Sequence, residues 1–367
     1  MLSSTEERIF VTKSFLPPLG EYEAYIKQVF QNGQLTNQGP LLQKLQEKLS
    51  CYLDVKNLHY VTNGTIAIQL ALKALDIEDG EIITTPFSYV ATVSSILWER
   101  CTPVFVDIEA DNFTIDADKI EKAITPKTKA IIAVHVFGYA CNTEKIEAIA
   151  RKHNIKVIYD AAHAFGSLYK NKSLLDFGDI STCSFHATKL FHTIEGGACI
   201  VKDKAISDRL ELIKRFGHQG DEHFCLGINA KQSEINAAMG LANFEYLNEI
   251  LAKRRQAVQL YDNILCGLLQ RPAKQKDLQY NNAYYPVLFK NEQQLLSVFK
   301  SLNEKGIFPR RYFYPSLNKL PYINKTQDCP VSENISSRIA CLPLFNDITE
   351  KQIKTICNII RGELAWR

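Results

Sequence analysis

The stretch "AIIAVHVFGYACNTEKIEAIARKHNIKVIYDAAH", residues 130–163, shows the pattern from which the fold is predicted. It holds two short runs rich in valine and isoleucine, 130–138 and 156–163, on either side of the amphipathic segment 142–154. A β-rich run, a helical period and a second β-rich run in this order predict a strand–helix–strand unit. Because each run contains an uninterrupted apolar stretch, 130–134 and 157–159, we expect a parallel sheet covered by helices on both faces.

The same alternation extends in both directions, from about residue 58 to residue 202. Further strands are predicted in EIITTPF (81–87), PVFVDI (103–108), DISTCSFH (179–186) and ACIVKD (198–203). Residues 64–77 predict a helix, and residues 233–265 predict one long helix that could be bent. We therefore expect a large α/β domain over 31–244 and a smaller α+β domain over 245–367. Residues 1–30 are expected to form an arm and a helix that pack on the small domain.

Composition narrows the classes of function. The chain has 367 residues, of which 46% are apolar and 23% charged, which is typical of a globular protein. Its net charge of +3 is dispersed, so we expect no nucleic-acid partner and favour a small anionic substrate. The ten cysteines include no C-x-x-C pair and no cluster with metal-ligand spacing, which indicates no metal site and a reducing, cytoplasmic compartment. No secretory signal is recognisable, and the longest apolar stretch is too short to span a membrane.

Polar residues follow the predicted strands at their carboxyl ends, where open α/β sheets bind ligands. Gly64 and Thr65 follow HYVTN and open a helix, so their backbone N–H groups could seat a phosphate. An ordinary helix N-cap explains the same residues. Asp160 closes the apolar run KVIYD, where a buried carboxylate favours a cationic partner such as a protonated pyridine nitrogen. A hydrogen-bond acceptor with no ligand is the alternative, and His163 could face the same cavity or simply be packed.

A lysine stands in the stretch "SFHATKLFHTIEGGA", residues 184–198. A partly desolvated lysine loses its proton more easily and can form a Schiff base with an aldehyde. The paired glycines Gly196 and Gly197 predict a flexible turn beside Lys189. A solvated surface lysine is the alternative interpretation.

Five motifs together resemble one family. They are TNGTIAIQLAL (62–72), TTPFSYVAT (84–92), IYDAAHAFG (158–166), the lysine stretch 184–198 and NAKQSEINAAMG (229–240). Their order and spacing resemble the DegT/DnrJ/StrS family of sugar aminotransferases, which use pyridoxal 5′-phosphate (PLP). The resemblance implies PLP fold-type I, the aspartate aminotransferase-like fold. That fold has a mostly parallel seven-stranded sheet and a smaller α+β C-terminal domain.

The resemblance also implies roles for individual residues. Lys189 matches the Schiff-base lysine that shuttles the proton, and Asp160 matches the acid that holds the pyridine nitrogen protonated. Tyr89 matches the aromatic residue stacked on the ring, and His163 matches a position near the ring hydroxyl. The phosphate ligands implied by the resemblance are Gly64, Thr65, Ser184 and, from the neighbouring subunit, Asn229. The last of these implies a homodimer with shared active sites.

The implied reaction moves an amino group from L-glutamate to a nucleotide-linked keto-sugar, in deoxysugar biosynthesis. Glu195 before Gly196 and Gly197 resembles the branch of the family that acts at C4, and dTDP-4-keto-6-deoxyglucose is the expected substrate. Residues expected to contact the sugar nucleotide are His186, Glu195, Arg310, Arg311 and Tyr312. A solvated surface position is the alternative for each arginine, and packing under the lysine is the alternative for His186.

Other functions stay open at this point. Amination at C3 is the alternative within the family, and a PLP-binding protein without turnover is the alternative outside catalysis. The family's dehydratases carry histidine in place of the lysine, so Lys189 argues against that branch. A nicotinamide-binding enzyme is disfavoured because no G-x-G-x-x-G follows a predicted strand.

Overall fold

One sheet of seven strands organises the protein. The computed structural model describes residues 8–323 and 327–365. The strands lie in the order Leu58–Val61, Gly197–Val201, Ile180–Ser184, Lys156–Asp160, Thr128–Val134, Glu81–Thr84 and Thr102–Phe105. Every pairing is parallel except the two made by Gly197–Val201. The predicted mostly parallel, seven-stranded sheet is confirmed.

Helices cover both faces of this sheet, as the continuous apolar strands predict. Within one central strand, successive side chains point to opposite faces. Ile132 packs in a core with the helices Gly64–Ala74 and Lys204–Ile213. Its neighbour Ile131 packs in a separate core with the helix Thr143–His153. Both faces of the strand Thr128–Val134 are therefore buried, which is why its residues 130–134 are all apolar.

The remaining elements surround the sheet and continue beyond it. The other helices are Leu19–Asn32, Pro40–Leu53, Ala91–Trp98, Ala117–Ile120, Glu234–Phe244, Leu247–Leu265, Glu292–Glu304, Pro330–Arg338 and Glu350–Ala365. The other paired strands are Ile9–Phe10 with Ile307–Phe308, His218–Gln219 with Glu222–His223, Tyr285–Leu288 with Ile339–Leu342, and Leu168–Tyr169 with both Lys172–Ser173 and Leu278–Gln279. Among residues 8–323 and 327–365, no helix has the length and apolarity needed to cross a bilayer.

The long helix predicted over 233–265 is two helices. The first ends at Phe244, the second begins at Leu247, and Tyr246 between them leaves helical geometry at φ −98° and ψ 1°. Leu247 packs in the core beside the large sheet, whereas Tyr261 belongs to a separate core near the C-terminus, the C-terminal core. The break lets consecutive segments serve two cores, a tertiary demand that overrides helical periodicity.

The C-terminal core has α+β character. It lies between the two-stranded sheet of Tyr285–Leu288 and Ile339–Leu342 and three helices, Leu247–Leu265, Glu292–Glu304 and Glu350–Ala365. This agrees with the smaller α+β part expected at the C-terminal end. The domain boundaries at residues 30 and 244 stay predictions.

The first described residues divide between two neighbours. The strand Ile9–Phe10 pairs in parallel with Ile307–Phe308, as expected for an arm on the small domain. The helix Leu19–Asn32 instead packs on Glu234–Phe244, beside the large sheet. Its Val29 is fully buried in that larger core, so the expectation that this helix packs on the small domain is corrected.

Candidate active site

Three strands of the sheet end at the same edge and carry the predicted site residues there. Asp160 ends one strand, Ser184 ends the next, and Gly64 opens the helix that follows a third. Gly197, which starts the antiparallel strand between them, pairs with both Ser184 and Val61. The carboxyl edge of the sheet therefore gathers groups that are far apart in sequence, as parallel topology requires.

Lys189 lies in the loop that follows this edge. Its side chain is half-buried, and Nζ donates a hydrogen bond of 3.3 Å to the Tyr284 hydroxyl. In the part of the chain that the structure describes, the lysine forms no ion pair with a carboxylate. The hydrogen-bond partner of this half-buried amine is therefore a phenol and not a carboxylate, which distinguishes Lys189 from a lysine in a surface ion pair.

Asp160 is a buried carboxylate held by uncharged donors. Only 6% of the residue is exposed. The Thr92 hydroxyl donates to one oxygen at 2.7 Å, and the Ala162 N–H donates to the other at 3.1 Å. Burial raises the pKa of Asp160, and these hydrogen bonds and the charge of Lys189 only partly counter it. A carboxylate in this setting would gain from a cationic hydrogen-bond donor.

His163 lies between the lysine's partner and an aromatic cluster. Its Nδ1 accepts a hydrogen bond of 3.0 Å from the Phe137 N–H, so the neutral ring carries its proton on Nε2. Burial, with a smaller contribution from Lys189, holds the pKa of His163 well below its usual range. Its ring is nearly parallel to Phe313 at 5.6 Å and lies 4.7 Å from Tyr284. Tyr284 therefore joins Lys189 to His163.

The start of the helix Gly64–Ala74 forms one end of the site. Asn63 caps this helix by accepting a 2.9 Å hydrogen bond from the Ile66 N–H, and the first N–H groups have no partner inside the helix. A Cβ placed on Gly64 would lie 2.9 Å from Cβ of Ser184, so these two residues are in contact. Thr65 is exposed beside them. Free N–H groups and two hydroxyls at a helix N-terminus suit a phosphate.

The paired glycines are not the flexible turn that the sequence predicts. Gly197 is buried and starts a strand. A Cβ on Gly197 would lie 2.5 Å from the Asn63 carbonyl carbon and 2.8 Å from the Gly64 nitrogen. A Cβ on Gly196 would collide with the Thr193 hydroxyl. Gly197 permits close packing under the helix N-terminus, and Gly196 permits close packing against Thr193 and Tyr60. This corrects the prediction of flexibility.

Two of the predicted substrate residues face solvent together. Nε2 of His186 lies 3.5 Å from Oε1 of Glu195, and both side chains are about half exposed. Nδ1 of His186 lies 2.8 Å from the Thr188 hydroxyl, directly before Lys189. The structure thus brings His186 and Glu195 together on the exposed side of the lysine loop, residues 185–196.

The three predicted residues from the C-terminal part differ in their surroundings. Tyr312 packs edge-on against Tyr284 with 6.0 Å between ring centroids, and burial raises its pKa to about 12. Arg310 is exposed, with its guanidinium 5.8 Å from the Tyr312 ring. Arg311 is already engaged, because it donates to Glu292 and stacks 3.4 Å from the Tyr314 ring. Arg310 and Tyr312 stay candidates for substrate contact, and Arg311 is better explained as a structural residue.

The last two predicted cofactor residues are exposed. Tyr89 is 59% exposed and lies 6.4 Å from Phe313, next to the aromatic cluster around His163. Asn229 is exposed after a hairpin, and its backbone bridges to Arg215. Within one chain, none of the described contacts brings Asn229 to Lys189.

Three residues around this site were missed by sequence reasoning. Thr92 lies in the motif TTPFSYVAT, so the position was recognised but received no role. Tyr284 lies far along the chain, in a segment to which the sequence analysis assigned no role. Phe313 follows the candidate Tyr312 directly, but an apolar side chain received no role there. Tyr284 and Phe313 reach Lys189 and His163 only because the C-terminal part folds back on the sheet.

Comparisons with known proteins agree on one family. A sequence profile of the DegT/DnrJ/EryC1/StrS aminotransferase family matches residues 20–361. A protein of Shigella dysenteriae named dTDP-4-amino-4,6-dideoxy-D-glucose transaminase is 40% identical over 366 residues, covering 97% of this chain and 99% of the relative. A protein of the same name from Escherichia coli is 37% identical, covering 98% and 100%.

Solved structures show the same fold. The structure of DesI in the presence of its TDP-sugar product matches with a TM-score of 0.92 at 26% identity, covering 99% of this chain and 94% of that one. The PMP form of a putative sugar aminotransferase from Streptococcus pneumoniae matches with a TM-score of 0.88 at 25% identity, covering 97% and 99%. The fold-type I architecture implied by the sequence is thereby confirmed.

Proposed function

Because the chain belongs to the DegT/DnrJ/EryC1/StrS aminotransferase family and is an aminotransferase, we propose that it aminates C4 of a nucleotide-linked 4-keto-6-deoxyhexose. L-glutamate is the proposed amino donor, and conversion of dTDP-4-keto-6-deoxyglucose to dTDP-4-amino-4,6-dideoxyglucose is the proposed reaction. The observation that carries the proposal is the half-buried Lys189, which donates a hydrogen bond to the Tyr284 hydroxyl and lies beside Asp160 and His163. The relatives named for this product support the choice of substrate.

The residues at the sheet edge fit PLP. Asp160 is buried with only neutral donors, so a protonated pyridine nitrogen would supply the cation it lacks. Gly64, Thr65 and Ser184 surround a helix N-terminus that suits the phosphate. His163 could donate its Nε2 proton to the ring hydroxyl, since its Nδ1 is occupied by the Phe137 N–H. Tyr89 is proposed to cover one face of the ring.

Bound PLP would supply the electron sink that lets an amino acid exchange its nitrogen with a keto compound. The protein's own part is to hold and move a proton. Lys189 Nζ would carry that proton, and the Tyr284 hydroxyl orients the amine when it is not bonded to the cofactor. Asp160 would keep the ring nitrogen protonated, because a nearby opposite charge favours the ionised form of each partner.

The sugar nucleotide is proposed to enter between the lysine loop and the C-terminal part. His186 and Glu195 lie on the exposed side of that loop, where their polar atoms could contact sugar hydroxyls. Arg310 is exposed above Tyr312, and its charge would favour the pyrophosphate. The geometry of this entrance would determine which carbon of the sugar reaches the cofactor.

A homodimer is part of the proposal. Asn229 follows a hairpin segment that exposes several large apolar side chains, namely Phe216, Phe224, Leu226 and Ile228. Clustered exposed apolar residues indicate a surface that another chain covers. We propose that a second copy covers this segment and that Asn229 then reaches the neighbour's phosphate site. Mixing Asn229→Ala with Lys189→Ala subunits should then restore activity, and failure to restore any would contradict a shared site.

The compartment is proposed to be the cytoplasm. All ten cysteines are free thiols, and eight of them are buried or partly buried. Free thiols in this number are typical of a reducing environment.

A direct assay tests the function. The purified protein is incubated with PLP, L-glutamate and dTDP-4-keto-6-deoxyglucose, and the product is assigned by NMR. The expected product carries nitrogen at C4. Amination of a 3-keto isomer alone would overturn the regiochemistry, and a bound cofactor that L-glutamate leaves unchanged would favour a PLP-binding protein without turnover.

A further inference from the structure

A short N-terminal arm, residues 9–18, connects the C-terminal core to the lysine loop, residues 185–196. At one end the arm pairs as a strand with Ile307–Phe308. The Val11 carbonyl then accepts a 3.0 Å hydrogen bond from the Leu344 N–H, which belongs to the same C-terminal region. The arm is therefore anchored before it reaches the sheet edge.

The arm forms hydrogen bonds with the lysine loop on both sides of Lys189. The Ser14 hydroxyl donates a 2.7 Å hydrogen bond to the carbonyl of Ala187, two residues before the lysine. Nε2 of His192, three residues after the lysine, donates a 2.7 Å hydrogen bond to the carbonyl of Phe15. Adjacent residues of one extended segment thus hold both ends of the short stretch that carries the amine.

His192 uses both of its ring nitrogens in this arrangement. A carbonyl can only accept, so Nε2 must carry the proton. Nδ1 can then accept the 3.2 Å hydrogen bond from the Ile194 N–H. The residue is 2% exposed, and burial lowers its pKa although the bond to Phe15 opposes this, which keeps the ring neutral. The same ring therefore links the arm to the backbone beyond the lysine.

Ile194 shows why such a link is needed. Its φ of 67° lies in the left-handed region, which β-branched residues rarely adopt. A conformation of this kind persists only where the surroundings hold it. The bond from its N–H to His192 supplies one of those restraints, and the arm in turn restrains His192.

We propose that Ser14 and His192 are positioning residues that fix the backbone of the lysine loop, so that Lys189 reaches the reacting atoms in one orientation. This inference rests on the proposed function, because it concerns the amine of that reaction. Neither residue is expected to touch substrate or cofactor. Their effect is expected on the rate of turnover and on the mobility of the loop, since a misplaced catalytic group costs rate and leaves binding nearly unchanged.

The test replaces Ser14 by alanine in the full-length protein. Ser337→Ala is the matched control, because its hydroxyl also donates a 2.7 Å hydrogen bond to a backbone carbonyl, that of Asn334, in a distant helix. Amide hydrogen exchange over residues 187–194 should accelerate roughly two- to tenfold in Ser14→Ala, the factor expected for one net hydrogen bond. The control should leave this segment unchanged.

Steady-state kinetics give the second readout. For Ser14→Ala we expect kcat to fall roughly tenfold, with KM for the sugar nucleotide within about twofold of the native value. His192→Gln keeps a side-chain amide near the position of Nε2 and should retain more activity than His192→Ala. An unchanged rate of amide hydrogen exchange in Ser14→Ala, or a rise in KM with kcat unchanged, would overturn the positioning role. Exchange is measured without substrate, so that result is independent of whether the proposed reaction itself is correct.

Discussion

Replacing Gly197 by alanine should displace the helix N-terminus proposed to hold the phosphate. The new Cβ would lie 2.5 Å from the Asn63 carbonyl carbon, 2.6 Å from its oxygen and 2.8 Å from the Gly64 nitrogen. All three atoms are backbone, so no side chain can rotate away. An ordinary carbon contact of about 3.5 Å is restored only if the strand and the helix N-terminus separate by about 1 Å.

That displacement sets the expected size of the effect. Overpacking a well-packed interior costs about 1–3 kcal/mol, which corresponds to a fall of several degrees in melting temperature. A shift of about 1 Å in the cofactor's anchoring end can cost on the order of a hundredfold in rate. We therefore expect Gly197→Ala to melt earlier, to bind PLP more weakly and to lose most of its activity.

The assay compares Gly197→Ala with the same change at Gly362. Gly362 lies in the helix Glu350–Ala365, and a Cβ there meets nothing within 4 Å. Gly362→Ala should be stabilised by roughly 0.5–1 kcal/mol because alanine is the better helix former. Melting is followed by calorimetry and PLP binding by absorbance titration. Native-like melting and PLP affinity in Gly197→Ala would refute the close-packing argument.

Two further changes test the site, and a third tests a buried ion-pair cluster of Glu211, His59 and Lys214. Lys189→Ala should abolish turnover and remove the covalent PLP label left by borohydride reduction; peptide mapping that finds the label on another lysine in the native protein would contradict the assignment. Burial raises the pKa of Asp160, so the charge of its carboxylate opposes folding at neutral pH. Asp160→Asn should therefore raise the melting temperature of the cofactor-free protein and weaken the retention of PLP. A lower melting temperature would count against this reasoning. Burial alone would raise the pKa of Glu211, but His59 and Lys214 outweigh it and lower the pKa to about 2. The stability contributed by Glu211 is therefore present above about pH 5 and lost as the pH falls towards 2, so urea unfolding should show Glu211→Gln to be destabilised at pH 7 and nearly native at the acid end.

Much of the fold could be predicted because its signals are local. The stretches 130–134 and 157–159 are continuously apolar, and strands covered on both faces need that pattern. The predicted strands all occur, although their bounds are shorter. The helix predicted over 233–265 is the exception, since the break at Glu245 and Tyr246 depends on two cores that the local sequence does not describe.

The amino-acid sequence was enough to predict the parallel sheet, the positions of Gly64, Asp160 and Lys189 at or after its carboxyl edge, and the likeness to an aminotransferase family. Those features follow from hydrophobic periodicity and from motifs whose residues are close in the chain. Three contacts could be seen only in the folded chain: the hydrogen bond of Lys189 to Tyr284, the packing of Gly197 under a helix N-terminus, and the hydrogen bond of Ser14 to the lysine loop. Each of these contacts joins residues more than 90 positions apart, and periodicity carries no information at that separation. Which residues come into contact depends on how the packed layers of helices and strands fit together.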